Sequence, residues 1–210
     1  MTITYPLTLP TQTGISSVEL EALNAVAISQ SPFSFKQQVV AFSGQRFGAN
    51  VTLPPMKRAD AEVWISFLIS LKGQIGTFLM GDPNCATPQG SASTNAGTPL
   101  VNGGSQTGAT LSIDGLPASA TGYLKAGDYI QLGSGTGTQL YKILADVDST
   151  AGGNATIDIY PNLRSSPADD ATVIVSNAKG LFRLANPQTN WSINNASFYG
   201  ITFSAIEVLT

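Results

Sequence analysis

Two hydrophobic periods divide the chain. Phe33 and Phe35 alternate with polar neighbours, and Val51 and Leu53 do so after Gly48. A period of two marks half-buried strands, so this stretch predicts two strands joined by a turn within 43–50. Pro54 and Pro55 end the second strand. The period then lengthens. Ala61, Trp64, Leu68 and Leu71 fall at i, i+3, i+7 and i+10, and Phe67 widens the same face. That spacing predicts an amphipathic helix over about 57–72. Asp60 and Glu62 suit its positive N-terminal end, and Lys72 with Gly73 supplies a basic last turn and a stop. "GTFLMGDP" follows as a short buried strand ending in a turn. A helix packed on a sheet explains Trp64 and Phe67 better than an aromatic cofactor box does.

Beyond a Gly/Ser/Thr/Asn-rich stretch the pattern is purely β. Leu111 and Ile113 alternate, as do Ile157 and Ile159, with Asp158 pointing outward between them. Tyr129 is one step out of phase with Ile130 and Leu132, and Leu140, Ile143 and Leu144 follow on the core side. "ATVIVSN" closes the set. Short strands separated by Gly, Asp and Asn turns predict a small closed barrel or sandwich. Near the end, Leu181, Arg183 and Trp191 surround a turn, and Tyr199, Ile201, Phe203 and Ala205 alternate as a strong strand. An isolated hairpin is only marginally stable, so these last strands need a sheet to join. Residues 1–90 and 180–210 are therefore expected to form one discontinuous domain. Residues 98–178 are the inserted barrel, and 85–97 a flexible connector.

Composition narrows the chemistry. The chain of 210 residues is 42% hydrophobic and only 11% charged, with a net charge of −3. No basic surplus is available to neutralise phosphates, which argues against sequence-specific nucleic-acid binding. There is no histidine, so the commonest general base and metal ligand are missing. Cys85 is the single cysteine. It cannot form an intramolecular disulfide, offers no zinc spacing, and has no histidine to activate it. The opening "MTITYPLTLPTQTG" lacks the basic start and apolar core of a secretory signal. "AEVWISFLISL" is too short to span a membrane, so no membrane insertion is expected. The N-x-S/T triplets at Asn50, Asn154, Asn190 and Asn195 have no secretory context and read as chance.

Two features could still carry chemistry. "GSGTG", at 133–137, resembles a phosphate loop, but such a loop needs a helix after it and a lysine followed by Ser or Thr. Here strand-like sequence flanks both sides, and Lys142 lies well past the glycines and precedes Ile143. Residues 133–138 are expected to be an exposed hairpin tip without a nucleotide. Carboxylates could do acid–base work in pairs, and the candidates are Asp114, Asp128, Asp146, Asp148, Asp158, Asp169 and Asp170. Most neighbour Gly, Ser, Pro or Asn, where turn formation explains an aspartate directly. Nothing in the sequence brings two of them together, and "DVDSTAGGN" lacks the spacing and final Glu of a calcium loop. No catalytic, cofactor-binding or metal residue is assigned, no cofactor is expected, and an enzyme is not.

The stretches "PFSFKQQVVAFSGQRFGANVTLPPMKRADAEVWISFLISLKGQIGTFLMGDP", "YLKAGDYIQLGSGTGTQLYKILADVDSTAGGNATIDIYPNLRSSPADDATVIV" and "WSINNASFYGITFSAIEV" together resemble the distal tail proteins of long-tailed siphophages and related minor tail proteins. The likeness is one of overall pattern and covers most of the chain after residue 30. It implies a mainly β (α+β) fold: a β-sandwich hub with one helix and an inserted OB-like barrel. It also implies a structural virion protein that forms a homo-oligomeric ring, usually a hexamer, in the phage tail. Such a ring joins the tail tube protein to the baseplate or tail-tip hub protein, and DNA passes through its lumen without sequence-specific binding. The protein would be made in the host cytoplasm. A tail-tube or other minor tail subunit is the nearest alternative. A glycan-binding module, with the barrel meeting the host surface, is the alternative from another class.

Overall fold

The computed structural model describes residues 3–11 and 14–209; residues 1, 2, 12, 13 and 210, which the predicted hub segments include, lie outside the described residues. In chain order the elements are β1 (Leu7–Thr8), β2 (Ser17–Gln30), β3 (Gln37–Thr52), α1 (Arg58–Ser70) and β4 (Phe78–Met80). Then come β5 (Leu100–Val101), β6 (Gly108–Asp114), β7 (Tyr129–Leu132), β8 (Gln139–Ile143), β9 (Ala155–Leu163) and β10 (Val173–Ile174). The last are β11 (Gly180–Leu184), β12 (Trp191–Ile193) and β13 (Tyr199–Glu207). The protein is mainly β, as the periods predict.

The first sheet is mixed and runs β1-β4-β11-β13-β3-β2, with β12 also paired to β13. Its strands come from both ends of the chain, as the C-terminal hairpin requires. The predicted helix forms as α1 and buries Ala61, Trp64, Leu68 and Leu71, with Phe67 and Ile65 beside them. Phe67 meets Phe78 edge to face at 5.6 Å, and Phe78 meets Phe203 at 6.2 Å. These contacts seat the helix on the sheet. Beyond α1, Lys72 and Gly73 both take positive φ, which turns the chain into β4.

The second sheet runs β10-β7-β8-β9-β6-β5. A bridge between Leu100 and Thr172, with Val173 N donating to Pro99 O, nearly closes it into a six-stranded barrel. Leu111, Ile113, Ile157 and Ile159 all point into its core, and Asp158 lies outside. The phase slip at Tyr129 has a structural cause. Ile130, Leu132, Tyr141 and Ile143 fill the barrel, whereas Tyr129 and Leu140, on the other face of the same strands, pack into the core of the first sheet. One wall of the barrel is therefore buried on both sides.

Two expectations need correction, the place of the first turn and the burial of Leu144. The first hairpin does not turn within 43–50. Ser31 N donates to Lys36 O, so the turn is 31–36 and holds Phe33 and Phe35. Gly44 and Gly48 sit inside β3 because the partner strand approaches closely there. A Cβ on Gly44 would lie 3.1 Å from that of Ala25, and one on Gly48 would touch Glu21 and Leu23. Leu144, expected on the core side, lies just past β8 and is exposed. The Gly/Ser-rich segment before β5 makes hydrogen bonds along part of its length. Ser91 N and Ala92 N donate to Gly122 O and Tyr123 O, Gln89 N donates to Asp128 Oδ1, and Ala92 is buried in the barrel core.

Candidate functional site

The aspartates singled out by sequence are spread around the barrel and hold its turns. Asp128, buried, accepts from Gln89 N and Lys125 N. Asp148 accepts from Gly122 N, and Asp169 from Gly103 N and Asp170 N. Asp114 pairs with Leu100 at the end of β6, and Asp158 faces outward opposite Thr110. Among the described residues no three His, Cys, Asp or Glu side chains could hold a metal together. Burial, then a hydrogen bond with Asp82, pushes the Cys85 thiol up, which disfavours the thiolate a nucleophile needs.

Asp146 is held differently, by a lysine. Lys125 Nζ lies 2.8 Å from its Oδ2, and Ala126 N donates to Oδ1. The hydrogen bond from Lys125 is the first cause holding this carboxyl below its ordinary value. A depressed carboxyl contributes stability that is fully present above the unfolded pKa of about 4 and lost as pH falls through the folded value. Both side chains are largely exposed, so solvent and salt keep that contribution small. NMR titration is expected to place the Asp146 midpoint below that of an ordinary aspartate, and Lys125→Met to raise it. An unmoved midpoint would show that the pair does not form in solution.

Residues 133–138 join β7 to β8, with Leu132 opposite Gln139, and all but Thr138 are exposed. Strands flank the tip on both sides, and the three-residue 3-10 turn at Gly135–Gly137 is too short to offer a phosphate a helix N-terminus. The glycines do not carry equal weight. Gly133 has φ +73°, and a Cβ there would collide with the Gly137 carbonyl oxygen, whereas a Cβ at Gly137 would meet nothing. Gly133→Ala is expected to cost more than about 1 kcal/mol, and small polar exchanges at Ser134 or Thr136 less than about 0.5 kcal/mol. Denaturant titration checks both, and ATP or GTP should leave the melting temperature unchanged. A dose-dependent thermal shift lost on changing these glycines would reinstate a nucleotide site.

A cleft of about 730 Å³ lies between the base of β2 and the barrel, lined by Leu20, Phe47, Asp82, Tyr129 and Lys142 among others. Lys142 Nζ is 2.9 Å from Tyr129 Oη and 4.2 Å from its ring centroid. Burial is the first cause raising the Tyr129 phenol, so it stays protonated and offers no ready base.

The distinctive surface lies elsewhere. Beyond the hub, β2 and β3 continue as a two-stranded arm, paired from Asn24↔Gln45 to Gln30↔Gln37. Val26, Ala41, Ile28 and Val39 share one of its faces by register. Phe33 is 96% exposed at the tip and Phe35 73%. From Leu23 to Gln45 the one charged residue is Lys36. β2 ends the sheet, and β3 meets β13 through Gly48–Thr52, so among the described residues both edges of the outer arm are unpaired. Sequence reasoning missed β2 altogether. Its signals were the alternation of Val18, Leu20 and Ala22 and the Ser31–Pro32 turn, both outweighed by the glycines of β3.

Residues 89–186 match the family model described as distal tail protein pb9, B domain. The chain carries a phage distal tail protein domain. The matched region spans the barrel and reaches back to Gln89, where the chain first bonds to Asp128, and forward through β11. The distal tail proteins are a structural family not known as enzymes, and the match over residues 89–186 points to a phage tail structural protein. No curated protein gives a significant match to the chain.

Proposed function

We propose that the chain is the subunit of a distal tail ring, and that its arm is the surface through which copies assemble. The arm carries this reading. Natural edge strands are guarded by charge, proline or covering elements, yet both edges of this arm are bare, and Lys36 at the tip is its one charge. A two-stranded ribbon exposing Val26, Ile28, Phe33, Phe35, Val39 and Phe42 is marginal by itself and marks an interaction site. Two free edges on one ribbon allow a head-to-tail contact, which closes into a ring when the rotation closes. A hexamer joining the tail tube protein to the baseplate or tail-tip hub protein, around a DNA channel, is the form proposed. The barrel stands in it as an OB-like insertion within the hub sequence.

The channel wall proposed is the sheet face opposite α1. Glu19 and Glu21 alternate with the core-facing Val18 and Leu20 there. Asn50 donates to Glu21 and accepts from Ser204 on that face. Carboxylates repel phosphate, and neutral amides and hydroxyls bring no cation to neutralise it, so DNA would not be held there by charge.

Electron microscopy of the purified chain tests the reading. Closed rings with a central hole are expected, and a chain lacking 26–40, with the strands rejoined by a short turn, is expected to remain single. Single intact chains that bind host polysaccharide would overturn the ring in favour of a glycan-binding module.

A further inference from the structure

We infer that the arm consists of two mechanically distinct segments, and that the barrel sets the boundary between them by clamping the inner one. Register defines the boundary. Asn24 faces Gln45, but Val26 faces Ala41, so Ala25 alone opposes Phe42, Ser43 and Gly44. Such a bulge interrupts the ladder and bends the ribbon. Immediately on the hub side of it, one face of the end of β9 grips the arm. Tyr160 Oη donates to Leu23 O at 2.9 Å, and Asn162 N donates to Gln45 Oε1 at 2.7 Å. The Tyr160 ring meets Phe47 edge to face at 5.4 Å. Arg164, two residues on in the same phase, pairs with Glu207, which accepts from Phe47 N. Past the bulge, 26–30 and 37–41 bond, among the described residues, within the arm.

The outer segment is therefore a ribbon on a hinge, and the inner segment moves with the barrel. A displacement of the barrel reaches the arm at Leu23 and Gln45 and pivots the ribbon beyond them. This rests on the proposed assembly role only for what the arm meets; the two segments belong to the single chain.

Hydrogen exchange on the chain, diluted until sedimentation shows single molecules, tests the clamp whether or not rings form. Paired amides of 26–30 and 37–41 are expected to exchange about a hundredfold faster than those of 20–24 and 45–52. In Tyr160→Phe/Gln45→Ala, protection at 22–24 and 45–47 is expected to fall about tenfold, while 48–52 and 201–206 keep theirs. Gln45→Glu, which retains an acceptor for Asn162, should hold the boundary in place. Should the double variant lose hub protection as a whole, Tyr160→Phe alone decides, since it removes one hydroxyl. Uniform exchange along the arm, or a boundary indifferent to Tyr160 and Gln45, would overturn the inference.

Discussion

Glu207→Ala is expected to cost about 3–5 kcal/mol, the toll of leaving one member of a buried ion pair alone. Glu207 and Arg164 are 2.5 Å apart, with side chains 0% and 9% exposed. They join β13 of the hub to the strand end of the barrel. Glu207 also accepts from Phe47 N at 2.9 Å, and the Arg164 guanidinium lies 5.7 Å from the Tyr141 ring centroid. Among the described residues Glu207 Oε1 and Arg164 Nε and Nη1 find no hydrogen-bond partner, so the pair is incompletely compensated even when intact. That predicts an asymmetry. Either single truncation strands a charge in a seam it cannot leave, whereas Arg164→Met with Glu207→Gln removes both charges, keeps an acceptor for Phe47 N, and should cost clearly less than either truncation. Denaturant unfolding of the three variants checks this. Single losses below about 1 kcal/mol would mean that water enters the seam.

Trp64→Ala should be comparably severe. The indole is 1% exposed and lies 6.1 Å from the Phe67 ring and 6.3 Å from that of Phe203. Truncation removes its transfer energy and leaves a cavity between helix and sheet, about 3–5 kcal/mol in all. Ile69, on the solvent side of the same helix, is 54% exposed, and Ile69→Ala should stay within about 0.5 kcal/mol. Equal losses at the two positions would show that the helix is not seated by this face.

What the sequence made legible follows from how strongly each element is specified locally. α1 buries a full stripe, so its period of 3.6 survives in the residues. The inward isoleucines of β6 and β9 alternate for the same reason. The arm was illegible because neither of its faces is buried in the single chain: Val39, Val40 and Ala41 run together without alternation. Glycine then misled, because Gly44 and Gly48 serve close approach between strands rather than a turn. Glu207 looked like one more polar position at the end of a strand. Its partner lies 43 residues away, in a region with no local pattern to announce it.

The barrel wall with two buried faces also limits how the chain could exchange modules. Swapping in a foreign barrel by cutting near 89 and 178 would remove Ile130 and Tyr141 along with the core they fill, a loss the donor's own core makes good. It would discard Tyr129 and Leu140, which the hub uses, along with Gln131, whose Oε1 holds Lys179 N. A working graft must carry that outward set and Arg164 as well. The sites at which a donor barrel has to be rewritten are thus on its own strands, inside the transplanted piece rather than at the splice points.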